Sequence, residues 1–151
     1  MTLHKHLVPA GLIVTIIVLA LGILANCQRR ALRPVDIAAE DMCSFCKMSI
    51  SEKRYAAEVI DSEGQAYKFD DIGCMVNFVK QKRSQSEVRA YFVMDFDKRE
   101  WIRGQDAFYV RSSEFTTPMA GGISAFKDES RAQAAVTKYH GKLLSFDDLF
   151  K

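Results

Sequence analysis

Sulfur is concentrated in one short stretch of this chain, Met42-Cys43-Ser44-Phe45-Cys46-Lys47-Met48. A second sulfur pair closes Asp70-Asp71-Ile72-Gly73-Cys74-Met75, and Met119 lies in Thr116-Thr117-Pro118-Met119-Ala120-Gly121-Gly122. Thiolates and thioethers prefer soft ions, above all Cu(I). Nitrogen donors are scarce: the histidines are His4, His6 and His140. The C-x-x-C spacing of Cys43 and Cys46 lets two sulfurs converge on one centre from a tight turn. Met48, two residues on, points the same way in extended backbone. Met119 is a further candidate, because a Pro/Gly loop gives a bulky apolar residue little to pack against.

Cys74 falls in the first turn of a predicted helix, where the positive end of the helix dipole favours a thiolate and lowers the thiol pKa. It is an additional metal candidate. Met75 points about 100° away from it on a helix and is expected in the core, as is Met94. Met42 is expected at the domain edge. The candidate metal ligands are therefore Cys43, Cys46, Met48 and Met119, with Cys74 behind them.

Four other chemistries fit parts of the pattern. Structural zinc would use Cys43, Cys46, Cys74 and His140, but it leaves Met48 and Met119 without a purpose. Cys43 and Cys46 also fit a plain disulfide. A thiol–disulfide oxidoreductase would place its C-x-x-C at a helix start, whereas here the pair precedes a predicted strand. A Cys–His nucleophile would need Cys74 and His140 together.

The elements that must position these residues follow from periodicity. Tyr55–Ile60 reads as a strand, Asp61-Ser62-Glu63-Gly64 as a turn and Gln65–Phe69 as the returning strand. Asp70 or Asp71 is the expected N-cap of a helix running to Lys82, with Ile72, Met75, Val76, Phe78 and Val79 on its apolar face. Val88–Met94 is a third strand. The second half repeats the plan. Ala107–Val110 and Ile123–Phe126 are strands around the Pro/Gly loop. Asp128 opens a helix with Ala132, Ala135, Val136 and Tyr139 on its stripe. Gly141 ends that helix, where left-handed backbone is wanted. Lys142–Ser145 is a last strand, followed by a terminal turn over Phe146–Phe150. Phe69-Asp70-Asp71 and Phe126-Lys127-Asp128 open the two helices alike. The fold class expected is α+β, two tandem ββαβ units packed as one body, over residues 41–98 and 99–151. Units of this size bury too little surface to be stable apart.

Ahead of them, Leu7–Ala25 is one uncharged apolar run, preceded by His4-Lys5-His6 and ending at Leu24-Ala25-Asn26-Cys27. Residues 1–26 are expected to be an export signal, with Cys27 the lipidation site of a lipoprotein. The run is also about long enough to be an uncleaved transmembrane anchor. Arg29, Arg30 and Arg33 after it disfavour export by the positive-inside rule. Residues 27–40 are expected to be a tether. If Cys27 is lipidated, three thiols remain, and an odd number cannot all pair within one chain. The chain has 21 Lys+Arg and 19 Asp+Glu. With charge this balanced and no basic stripe, nucleic-acid binding is excluded.

Taken in order, several pieces resemble the NosL family. They are Met42-Cys43 through Cys46-Lys47-Met48-Ser49-Ile50, Phe69-Asp70-Asp71-Ile72-Gly73-Cys74-Met75, Val93-Met94-Asp95-Phe96, Trp101-Ile102, Ala107-Phe108-Tyr109-Val110, Thr117-Pro118-Met119 and Gly122-Ile123-Ser124-Ala125-Phe126. The resemblance covers about residues 40–150. It implies a periplasmic copper-carrying lipoprotein, one Cu(I) per chain, and two ββαβ units related in fold to the organomercurial lyase domain. It also implies a carrier rather than an enzyme, handing copper to nitrous-oxide reductase together with an ABC-type transporter and its periplasmic subunit. Two positions depart from the family pattern. Lys47 stands where the family often has Gly, and Ala120-Gly121-Gly122 stands where it often has Gly-Ser-Gly.

Overall fold

The computed structural model describes residues 32–151. The expected signal or anchor, Cys27 and the start of the tether lie outside the described residues. The remainder of the expected tether is docked on the domain. Val35 donates its N–H to the Glu58 carboxylate, Lys53 Nζ and Lys68 Nζ donate to the carbonyls of Ile37 and Asp36, and Ile37 is buried in the core.

The first sheet is antiparallel with the order β2-β1-β3-β4, from β1 (Ala57–Asp61), β2 (Ala66–Phe69), β3 (Val88–Met94) and β4 (Trp101–Arg103). The β1–β2 turn forms because Asp61 Oδ1 accepts the N–H groups of Glu63 and Gln65 while Gly64 takes φ +87°. That turn sets the register Ile60 opposite Ala66 and Glu58 opposite Lys68. Helix α1 (Ile72–Lys82) follows β2, with Asp71 as its N-cap. Its Ile72, Met75, Val76, Phe78 and Val79 are buried, as the spacing predicted.

The second sheet has the order β6-β5-β7, from β5 (Phe108–Arg111), β6 (Ile123–Phe126) and β7 (Lys142–Leu144), with α2 (Glu129–Lys138) between β6 and β7. In each repeat the first strand is central, the second lies on one side, and the strand after the helix lies on the other. The structure is thus the α+β arrangement expected. A parallel bridge between Asp95 and Ala125 joins the sheets. Asp95 Oδ2 also accepts the N–H of Lys127 at 2.8 Å.

Three local expectations change. Tyr55 is not in a strand; it ends a 3-10 turn over Lys53–Tyr55. Trp101–Arg103, not expected to be extended, pairs with β3 as an edge strand. At the end of α2 the left-handed residue is His140, φ +47°, and not Gly141. Gly141 donates its N–H to Val136 O at 2.9 Å, the closing bond of a Schellman cap. Its missing side chain serves packing, since a Cβ there would lie 2.7 Å from Val110 Cγ1.

The repeats share their cores. Phe69, Ile72, Met75, Val79 and Val93 pack with Tyr109, Ile123, Ala125 and Leu144 of the second repeat. Conversely, Tyr55 belongs to the cluster of Val110, Phe115, Phe126, Ala132 and Ala135. Each large apolar side chain so buried stabilises the fold by about 1.5–3 kcal/mol.

Candidate metal centre

Residues Met42–Ser49 form a tight reversal. Met42 bridges Ser49, Cys43 N–H donates to Met48 O at 2.7 Å, and Lys47 N–H donates to Cys43 O at 3.0 Å. Closing a turn of this size drives Lys47 into left-handed backbone, φ +65°. The turn is held on the sheet by Ser44 N–H donating to Lys68 O at 2.8 Å. That contact lays Cys43 and Cys46 beside the segment that leaves β2 and enters α1.

The ligand atoms of Cys43, Cys46, Asp70 and Cys74 all lie within 4.8 Å of one another. All three cysteines are free thiols, so the disulfide alternative is not formed. Cys43 and Cys74 are buried and Cys46 is half-buried. Asp70 is buried too. Its Oδ2 accepts from Cys46 Sγ at 3.5 Å, while its Oδ1 has no partner. An unpaired buried carboxylate oxygen is costly. Here it sits among thiols, and a cation would satisfy it.

The thiols are tuned against each other. The hydrogen bond from Cys74 pulls Cys43 down to about 6, with help from the N–H groups of Asp70 and Cys46. The same pairing holds Cys74 well above the ordinary thiol range, reinforced by burial. This reverses the expectation from its place in the first turn of α1. The adjacent Cys43 sulfur outweighs the helix dipole, because two thiolates in contact repel strongly where water is excluded. Burial also raises Cys46, although Met48 N–H favours its thiolate. One thiolate therefore forms readily, and the next two wait for a cation.

Met48 and Met119 are linked to the elements of the site through their backbones. Met48 contributes its backbone N–H to Cys46, and its side chain is 53% exposed. Met119 is 45% exposed and donates its N–H to Asp71 Oδ2 at 3.3 Å, at the start of α1. Met75 and Met94 are core residues and Met42 is exposed, as expected.

The zinc set fails at its fourth member. His140 is an exposed residue whose Nδ1 lies 2.7 Å from Glu114 Oε1, away from the thiol group. The same placement removes the Cys74–His140 nucleophile. The C-x-x-C pair lies in a turn and not at a helix start, so the arrangement of a thiol–disulfide enzyme is also missing. Asp70 was missed as a donor by sequence reasoning, which saw only a cap. The signal was there in its position four residues before Cys74, since the residue just outside a helix start lies close to the first turn.

Comparison with functionally curated proteins gives no match. Among solved structures, the chain is similar to the crystal structure of the copper chaperone NosL from Shewanella denitrificans, with TM-score 0.70 and 21% identity, over 78% of this chain and 96% of that one. At that identity the likeness is one of fold. The family model for NosL matches residues 34–151, nearly all of the described chain, and on that match the protein belongs to the NosL family.

Proposed function

We propose that this protein is a carrier of Cu(I), with copper as its cargo and no chemistry performed on it. The observation that carries this reading is the gathering of three free thiols and a carboxylate oxygen of Asp70 within 4.8 Å of one another. Cu(I) takes two to four donors and favours sulfur. Cys43 and Cys46 hold the ion, Cys74 and Asp70 complete the inner face, and the exposed thioethers of Met48 and Met119 are the donors an incoming or departing ion meets. Thioethers are neutral, so exchange through them adds no charge. The solved relative is described as a copper chaperone, which supports the same cargo.

The carrier works on the periplasmic side of a bacterial membrane. It is attached through lipid on Cys27 or through an uncleaved N-terminal helix, and it passes copper to a maturing cuproenzyme. By family resemblance the client is nitrous-oxide reductase, served with an ABC-type transporter and its periplasmic subunit.

Anaerobic titration of the reduced protein with Cu(I) against a chromophoric chelator tests the cargo. One ion per chain is expected, with affinity falling by at least about a hundredfold in Cys43→Ser, since thiolate ligation is lost. Absence of Cu(I) binding by the fully reduced chain overturns the reading. Zinc that copurifies, resists exchange with Cu(I) and unfolds the domain on removal would assign the thiols and Asp70 to a structural site instead.

A further inference from the structure

Asp71 is fully buried at the N-cap of α1, and its two oxygens serve different parts of the chain. Oδ1 accepts the N–H of Gly73 at 2.5 Å, and Oδ2 accepts the N–H of Met119 at 3.3 Å. One carboxylate therefore ties the turn holding Asp70 and Cys74 to the backbone of Met119, 48 positions along the chain. The fit around it is close. A Cβ on Gly73 would lie 2.8 Å from Asp71 Oδ1, and one on Gly121 would lie 3.1 Å from the same atom. The Gly73 Cβ would also come within 3.9 Å of Gly121 Cα. The loop and the helix start thus approach each other with only hydrogen between them and the carboxylate.

The rest of the loop is built to present that one N–H. Thr117 Oγ1 accepts from Gly122 N, Ala120 N donates to Thr117 O, and Gly122 O accepts from Ser112 N. Met119 N–H is the group that faces outward from this ring toward α1. A buried charged acceptor makes a stronger bond than a neutral one. A cap alone would need one oxygen, for which Ser, Thr or Asn suffices.

We propose that Asp71 is a positioning residue, which fixes Met119 at the thiol cluster so that its thioether reaches the copper ion. It acts through the Met119 backbone and does not touch the metal. This rests on the reading of Met119 as a copper donor.

Two substitutions separate the cap from the tether. Asp71→Asn and Asp71→Ser both keep an oxygen for Gly73 N–H. Asn has only one acceptor oxygen, and Ser is too short to reach the loop. In the metal-free full chain, hydrogen exchange at the Met119 amide should quicken by roughly ten- to hundredfold in both variants, with the α1 amides unchanged. Unchanged Met119 exchange overturns the tether whatever copper does. In the Cu(I)-loaded chain, X-ray absorption should show the same loss of sulfur coordination in Asp71→Asn as in Met119→Ala, and the double variant should lose no more than either. Sulfur loss in Met119→Ala with a full shell in Asp71→Asn overturns the proposal and leaves Met119 as a donor. A full shell in Met119→Ala, with binding still abolished by Cys43→Ser, overturns Met119 as a donor and the tether's purpose together, while the carrier reading stands.

Discussion

The backbone N–H of Ser44 donates to the carbonyl of Lys68 across 2.8 Å, and this bond splices the C-x-x-C turn onto the end of β2. It places Cys43 next to Asp70, two residues beyond Lys68. Ser44→Pro removes the donor without altering a candidate ligand. We expect stability to fall by about 1 kcal/mol and Cu(I) affinity by roughly tenfold, because the turn then samples orientations in which the thiols diverge. Chelator competition beside thermal unfolding checks both. Unchanged affinity would mean that the thiols find one another without the splice.

The two departures from the family pattern share one backbone property. Lys47 has φ +65° and Ala120 has φ +55°, and both are positions where the family often has Gly. Left-handed backbone costs a residue with a Cβ about 1 kcal/mol relative to Gly. Lys47 recovers part of this by donating Nζ to Ser44 O at 2.9 Å. Lys47→Gly and Ala120→Gly should each stabilise the apo protein by up to about 1 kcal/mol, with Ala120→Gly the larger. Denaturant melts measure this, and destabilisation by Ala120→Gly would contradict it.

The end of α2 gives the opposite sign one residue apart. His140→Gly should relieve strain at φ +47° and stabilise modestly, provided that its exposed contact with Glu114 is worth little. Gly141→Ala should cost about 1–3 kcal/mol, since the new methyl meets Val110 Cγ1 at 2.7 Å and Arg111 O at 2.9 Å. The thermal midpoints of the pair therefore move apart, and a Gly141→Ala protein as stable as wild type would refute the close packing.

Stability should carry a pH signature from Glu58. This residue lies fully buried in β1, between Lys68 of β2 and Phe92 of β3. Burial raises its carboxyl from 4.5 to about 7, against the pull of Val35 N–H and of Lys68, and the nearby Asp41 and Asp36 add to the rise. The folded protein holds this proton more tightly than the unfolded chain does, so the stabilisation is complete below pH 4.5 and is lost as pH rises through about 7. It is on the order of 3 kcal/mol. Cys43, lowered to about 6, works in the opposite direction, so the difference between Glu58→Gln and wild type is the quantity to follow. Melting curves from pH 5 to 8 should show a downward contribution in wild type that the variant lacks.

Much of the fold is legible in the sequence where signals are local. Val88–Met94 and Ile123–Phe126 are bounded by turn residues and rich in β-branched and aromatic side chains, and the strands run over those residues. The first helix is equally clear from its cap and apolar face. What fails is decided at a distance. Tyr55 leaves the strand pattern to fill the other repeat's core, and Trp101–Arg103 becomes extended only because β3 offers it an open edge. At the site, residue type singles out Cys43, Cys46 and Cys74, which the fold brings together. Asp70 is marked only by its position four residues before Cys74, and its unpartnered oxygen exists only once the chain is folded. The order of thiol ionisation is hidden for the same reason: it depends on two sulfurs that are far apart in sequence.

Tyr55 sits among the side chains of the second repeat while β4, contributed after the midpoint of the chain, completes the first sheet. A gene encoding either repeat alone would therefore yield an adhesive fragment with a missing edge or an empty socket. A crossover that parted the two repeats would leave each half without a partner that its packing requires.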